Sequence, residues 1–448
     1  MIDYLKPVIL DLINCDERKK AWDLIDFYLS HAKTIYDYDT LGYLALKADK
    51  RDTYLECAEA TYALSRTPEE IYNSRTNLYK AYNALNYPEK ALFYIEQNLK
   101  ITPDDYETIA QKAFNISLMG NKQEAEEILL GLVTKYPEKA DKLEAAFSGK
   151  LLREGKLAEG IRAFLEAFKP KSGTFDDNLK MKRWDGLIRP GYKLYIDGEG
   201  GIGDEIINIR FLKVLENYGM EPILYSTGKY REDTNKLFRR HGIQIVTDVY
   251  SIDPRCQWAP LMSLPAYLNL TEDDLWKGPY LKPLRNPNNK LLPSLFGKFR
   301  IGIKCSGNPY FGQDEYRKIP IEDMLKYLPD NAEIYYIDKE FKDHPRVINL
   351  NDRINSWEDT LDFIDQMDCI VSSCTSLVHA AGAIGKTTFV AVPIAEYYIW
   401  TTSRKDNSSP WYGPNFKVMR QTKVRDWNDP LSEIGKHVLE LMNEVKRD

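Results

Sequence analysis

Four prolines, Pro68, Pro103, Pro137 and Pro170, follow one another at intervals of 35, 34 and 33 residues. A period near 34 restricts the fold strongly. Each period must be a two-helix unit that buries its apolar face mainly against the next copy. The surrounding sequence agrees. Up to about residue 170 glycine and proline are sparse, and apolar residues recur at helical spacing, as in Ala91, Leu92, Ile95 and Leu99. One copy begins at Tyr72 and ends in KITPDD; the next begins at Tyr106 and ends in TKYPEK. A small residue falls where the second helix of each copy would cross the first: Ala91, Ala125 and, in a third copy reading EGKLAEGIRAFLEAFKP, Gly160. The residues before Tyr72 fit the period poorly, so an irregular helical bundle is the alternative for this region.

After residue 170 the texture changes. KSGTFDDNLKMKRWDGLIRPG is a polar connector broken by glycine and proline. Strand-like KLYIDG, EPILYS and IQIVTD then alternate with helix-like DEIINIRFLKVLENYG and TNKLFRRHG. That alternation predicts a parallel sheet covered on both faces. A second series starts at FRIGIKCSG and continues through EIYYID, RVINL, DCIVSS and TTFVAV, with helices such as PIEDMLKYL and WEDTLDFIDQM between. Residues 284–298, LRNPNNKLLPSLFGK, read as the linker. The expected architecture is α followed by α/β: helical repeats over 1–170, one Rossmann-like unit over 171–297 and a second over 298–448. Two such units place a ligand cleft between the carboxyl ends of their strands. The last helix, LSEIGKHVLELMNEV, is expected to return and brace the first of them.

Composition removes several classes. Of 448 residues, 43% are apolar and 29% charged, and the net charge is −6, which argues against a dedicated nucleic-acid binder. Six scattered cysteines include no CxxC pair and no zinc spacing, a reduced and cytoplasmic usage. No metal site is expected. No basic leader opens the chain, and no run approaches the roughly 18–20 apolar residues of a membrane span.

Three segments carry candidate chemistry. The first, GEGGIGDEIINIRF, follows a strand and opens a helix. Glycines 198, 200, 201 and 203 allow close backbone approach to a ligand, and Asp204 falls in the first helical turn. Gly198, Gly200 and Gly203 also satisfy the dinucleotide G-x-G-x-x-G spacing, but the next strand, EPILYS, ends at Ser226 and Thr227 rather than at an acid. A plain tight turn is the other alternative. The second segment, SGNPYFGQDEYRKIP, follows the strand IGIKC; Arg317 or Lys318 could neutralise a diphosphate, or could simply be solvated charges. The third, DCIVSSCTSLVHAAGAIGKTTFVAVP, passes from a strand into a small-residue helix. Thr375 and Ser376 are good helix-start residues for phosphate oxygens, and His379 lies in the first turn, where a buried structural role is the alternative. IGKTT is no phosphate-binding P-loop, because its first glycine would have to stand at Ala380.

Taken in order, these segments resemble bacterial tetratricopeptide proteins with a heptosyltransferase-like or O-GlcNAc-transferase-like C-terminal domain. The helical copies resemble tetratricopeptide repeats while falling short of the full consensus. From about Arg183 to Leu441 the likeness runs through RWDG, GEGGIGDEIINIRF, PLMSLPAYLNL, SGNPYFGQDEYRKIP, SSCTSLVHAAGAIGK and SSPWYG, with RQ at 420–421 and DW at 426–427. The chain departs from the family pattern at Cys374, where an aspartate is usual, at Phe311, where a histidine is frequent, and at Cys305, where a tryptophan is usual. In related heptosyltransferases the aspartate replaced by Cys374 contacts the sugar.

The resemblance implies an inverting, metal-independent GT-B transfer from a nucleoside-diphosphate sugar, with uridine favoured by analogy. It places Gly201, Gly203, Asn308, Arg317, Lys318, Thr375, Ser376 and His379 around the donor, with His379 also stabilising charge on the diphosphate. Asp204 is the expected general base, Glu199 the second choice, and the helical repeats would position a protein or glycan acceptor. No cofactor is implied. A non-catalytic sugar-nucleotide-binding scaffold is the rival, and Cys374 is the feature in its favour.

Overall fold

A computed structural model describes residues 2–15, 17–139, 144–168, 172–228, 231–293, 298–308, 314–338, 343–395 and 397–445. It divides into two compact units.

The first unit holds the chain up to Glu138 and two short later segments that include Tyr316 and Arg425. Its helices form consecutive pairs: α1 (Ile2–Asn14) with α2 (Arg18–Leu29), α3 (Ile35–Lys47) with α4 (Arg51–Leu64), α5 (Pro68–Ala84) with α6 (Pro88–Leu99), and α7 (Tyr106–Leu118) with α8 (Lys122–Lys135). The periodic prolines have a local cause. Pro68 is the first residue of α5, where a missing N–H costs nothing, and Thr67 caps that helix reciprocally with Glu70. Pro103 lies in the turn before α7 and Pro137 just beyond α8. Pro170 lies outside the described residues. Ala91 and Ala125 are buried at their crossings, as small residues there require. The four helices before Pro68 continue the pairing although their sequence does not keep the period, and Ile25, Leu41, Leu44, Leu78 and Ile95 share one core. In the same unit Tyr316 donates its hydroxyl to the Asn83 carbonyl at 2.8 Å. Arg425 donates to the Asn86 carbonyl and pairs with Glu89 at 2.6 Å.

The second unit begins with the helix pair α9 (Glu144–Arg153) and α10 (Leu157–Phe168). Gly160 lets them cross closely, since a Cβ there would lie 2.6 Å from Leu152 Cγ. Two all-parallel sheets follow. The first contains β1 (Lys182–Arg183), β2 (Lys193–Asp197), β3 (Glu221–Tyr225), β4 (Ile245–Val246) and β5 (Gln257–Pro260), in the order β1-β5-β2-β3-β4. The second contains β6 (Arg300–Lys304), β7 (Glu333–Tyr336), β8 (Val347–Asn349), β9 (Cys369–Ser373), β10 (Thr388–Val392) and β11 (Phe416–Arg420), in the order β11-β10-β9-β6-β7-β8. All residues of β9 and β10 are buried, as expected where helices cover both faces. The eight strands expected from sequence lie in these sheets; β1, β5 and β11 are additions. Two parallel sheets of this kind are consistent with a GT-B type of α/β architecture.

Five helices matter for the site or for the packing around it: α11 (Ile202–Asn208), α12 (Arg210–Asn217), α13 (Glu232–Arg240), α14 (Leu264–Tyr267) and, after α15 (Asp314–Arg317), α16 (Ile321–Lys326) and α17 (Trp357–Asp365), the helix α18 (Ser376–Ala383). The expected linker is not loose where it is described. Arg285 and Asn286 donate backbone N–H groups to Asp362 at 2.5 and 2.8 Å, and the Leu291 N–H donates to Gln366 at 2.8 Å, so the segment is docked along α17. Residues 294–297 lie outside the described set.

One expectation is corrected. The last helix, α19 (Asn428–Val445), does not return to the first sheet. Leu431, Ile434, Val438 and Met442 pack with Ile301, Ile303, Val371 and Met419 on the second sheet. Its apolar stripe covers the face that β6, β9 and β11 leave open, and the Trp427 indole anchors its start on the Lys318 carbonyl at 3.1 Å.

Candidate functional site

The glycine turn after β2 and the start of α18 meet between the two sheets. Gly200 has φ +77°, a conformation that favours glycine. The turn folds back so that the Gly201 N–H donates to Asp204 Oδ2 at 2.8 Å. Gly203 has a different reason to be glycine: a Cβ would lie 2.8 Å from His379 Cδ2 and 3.3 Å from Ser376 Cα. Packing of α11 on α18 therefore requires it, whatever else it touches.

Asp204 is held at both oxygens, because the Tyr397 hydroxyl donates to Oδ1 at 2.8 Å. Burial raises its pKa; the Gly201 N–H, the Tyr397 hydroxyl and the charges of Arg317 and Arg231 pull the other way. Glu199, one residue before the turn's second glycine, accepts the Met262 N–H at 3.2 Å. Burial pushes its pKa up to about 7, with neighbouring Asp197 and Asp204 adding to the rise.

On the opposite side, Arg317 donates from Nη1 to the Cys374 carbonyl at 2.9 Å, immediately before α18. Its charge acts on both Asp204 and His379. Thr375 is the N-cap of α18, but its side chain makes no capping bond; it lies buried, with its hydroxyl 3.4 Å from that of Ser372. Ser376 is half-buried beside it. His379 is buried, shares a 2.7 Å hydrogen bond between Nδ1 and the Tyr412 hydroxyl, and stacks on Trp400 at 5.4 Å. Burial, with the charges of Arg210 and Arg317, pushes its pKa down to about 3. The ring is therefore neutral near pH 7 and has one N–H to donate, not a positive charge.

The structure thus brings together Asp204, Glu199, Arg317, Thr375, Ser376 and His379, with Gly201 and Gly203 in the turn. Lys318 is exposed, and Asn308 is exposed within the first unit. Phe311 lies outside the described residues. Cys305 is buried at the end of β6, with its thiol pushed up to about 12 by that burial. Cys374 is half-buried, and no disulfide joins any of the six cysteines, all of them among the described residues.

Several residues that shape the site were not singled out from sequence. Arg210 donates to the carbonyls of Ile207, Leu275 and Trp411 at 2.8, 3.0 and 2.7 Å and to the Tyr280 hydroxyl at 2.8 Å. It ties the start of α12 to the loop before β11. Glu205, fully buried, pairs with Arg231, which also donates to the Gly200 carbonyl at 2.8 Å. Tyr397 and Tyr412 complete the set. Arg210 opens α12, directly after the helix that carries Asp204, and Tyr397 lies in an aromatic run after β10; these were the available signals. Among the described residues no three His, Cys, Asp or Glu side chains are grouped to hold a metal ion. Nor is any described helix long and apolar enough to cross a membrane.

No known family model matches the chain, and no curated protein matches it in sequence. Among solved structures it is similar to a mutant of the Thermobaculum terrenum O-GlcNAc transferase, with 11% identity, TM-score 0.40, and coverage of 100% of this chain and 93% of that one. It is also similar to the iron-containing dodecameric glycosyltransferase TibC from enterotoxigenic E. coli H10407, with 10% identity, TM-score 0.37, and 58% and 77% coverage. For the E. coli ADP-heptose LPS heptosyltransferase II the corresponding values are 11%, 0.35, and 57% and 99%. Likeness at this level leaves the assignment of the fold resting on the two sheets themselves.

Proposed function

We propose that this protein is a GT-B-type glycosyltransferase that moves a sugar from a nucleoside diphosphate to a hydroxyl of a protein or glycan. One observation carries the reading. The Arg317 guanidinium is bonded at Cys374, at the start of α18, while the Asp204 carboxylate faces it from the other sheet. A guanidinium and the positive end of a helix both favour an anion such as a diphosphate. A carboxylate across from that anion is placed to take a proton from an incoming hydroxyl. The ordered likeness of the surrounding segments to heptosyltransferase-like domains supports the same chemistry.

In this mechanism the second half binds the donor through Arg317, with Lys318, Thr375 and Ser376 as further contacts. His379, neutral, donates from Nε2 to developing charge on the leaving group, in the tautomer whose Nδ1 accepts from the Tyr412 hydroxyl. Asp204 removes the acceptor proton. Glu199, whose pKa of about 7 suits proton transfer near neutrality, is the second base. Direct attack by the acceptor from the side opposite the leaving group inverts the anomeric centre, and no metal is used. Uridine diphosphate is the favoured nucleotide, and the helical pairs of the first unit would present the acceptor.

A second reading has two observations behind it: Cys374 stands where related enzymes carry an aspartate, and His379 is engaged by Tyr412, Trp400 and α11. In this reading the chain binds a sugar nucleotide without turning it over. Incubation with uridine- and adenosine-diphosphate sugars, read as released nucleoside diphosphate, decides between them. Release supports transfer; saturable binding without release supports the scaffold.

A further inference from the structure

We infer that Tyr397 is a positioning residue for Asp204: a phenol from the second half of the cleft that fixes the orientation and basicity of a carboxylate in the first. This rests on the proposed role of Asp204 and adds a residue that the sequence did not point to. The Tyr397 hydroxyl donates to Asp204 Oδ1 at 2.8 Å while the Gly201 N–H holds Oδ2 at 2.8 Å. With both oxygens engaged from different directions, the carboxylate cannot turn about its Cβ–Cγ bond without losing a charge-assisted hydrogen bond. The phenol is itself fixed. Its ring meets the edge of Phe164 of α10 at 5.8 Å and that of Tyr398 at 4.9 Å.

Other groups act on the same carboxylate. Arg317 and Arg231 favour its charged form, while Glu199 opposes it. Tyr398 remains a neutral phenol, pushed far up by burial, and His379 remains a neutral imidazole. Cys374 acts on Tyr397. The Tyr397 hydrogen bond spans the two halves, so the basicity of Asp204 depends on the halves being together.

The test uses the full chain labelled with 13C at aspartate carboxyls, with the Asp204 resonance identified by its loss in Asp204→Asn. In Tyr397→Phe the carboxylate loses a donor, and its titration midpoint should rise by about one pH unit. Replacing Tyr397 by 3-fluorotyrosine strengthens the donor without changing the packing and should move the midpoint down, which keeps the test open if the phenylalanine variant fails to fold. A midpoint unmoved by either change overturns the inference and leaves the role of Asp204 untouched. A midpoint that moves, while Asp204→Asn releases nucleoside diphosphate as fast as the wild type, upholds the inference and removes Asp204 as the base. Where turnover is seen, the acid limb of its pH profile should follow the titration, which a purely structural tyrosine would not produce.

Discussion

Replacing Arg210 by lysine tests whether the two sheet halves are held together as described. The guanidinium makes four hydrogen bonds, to the carbonyls of Ile207, Leu275 and Trp411 and to the Tyr280 hydroxyl, and lies 4.2 Å over the Tyr280 ring. Lysine keeps the charge but is a point donor on a flexible stem, without the planar fork that reaches several acceptors at once. Its ammonium can satisfy one or two of the four. At least two acceptors, in part-buried surroundings, then lose a charged donor. At about 1–3 kcal/mol for each polar group left unpaired, the variant should lose about 2–6 kcal/mol. Urea unfolding followed by tryptophan fluorescence measures this, since Trp400 and Trp411 are buried in the same unit. The transition that reports these tryptophans should move to lower urea, while far-ultraviolet dichroism of the helical unit is less affected. A variant within about 0.5 kcal/mol of the wild type, the range of ordinary surface substitutions, would refute the reasoning.

Arg317→Ala should weaken binding of a nucleoside diphosphate by about 1.5–3 kcal/mol, measured by calorimetry, if its charge contacts the phosphates; unchanged affinity removes it from the site. The folded-state pKa of His379 lies below its unfolded value, so the folded state resists protonation and stability falls as pH drops from about 6.5 towards about 3. His379→Asn should flatten that slope in a series of melts at decreasing pH, and an unchanged slope would show that the histidine is not the group responsible. Gly435→Ala places a Cβ 2.5 Å from the Tyr327 carbonyl oxygen and should cost about 1–3 kcal/mol by forcing α19 off the second sheet, visible as a lowered melting temperature.

Much of the fold could be read because buried parallel strands advertise themselves. CIVSS and TFVAV are continuous buried runs, and they became neighbouring strands. The strands that escaped notice lack that signal. Gln257–Pro260 is four residues long and ends in proline, and Lys182–Arg183 is exposed and pairs only beside it. The destination of α19 differs from the expectation for another reason: an apolar stripe states that a face is buried but not what buries it. The candidate site divides in the same way. Asp204, Glu199 and the start of α18 lie on motifs contiguous in the chain, and Arg317 follows a strand end, so sequence could place them. The hydrogen bond between Tyr397 and Asp204 spans 193 residues, and no local spacing encodes it. Gly203 shows the opposite difficulty: a glycine in a ligand-binding pattern that helix packing alone requires.

The most direct measurement compares Asp204→Asn with the wild type for sugar-nucleotide binding and for sugar transfer. The substitution keeps the shape and a hydrogen-bonding oxygen for Tyr397 but removes the basicity. The account predicts near-normal donor binding with transfer slowed about 10²–10⁴-fold, the usual contribution of a general base. Equal transfer rates in the two proteins would contradict it and turn attention to Glu199. Donor binding with no transfer even by the wild type would contradict the assignment of an enzyme.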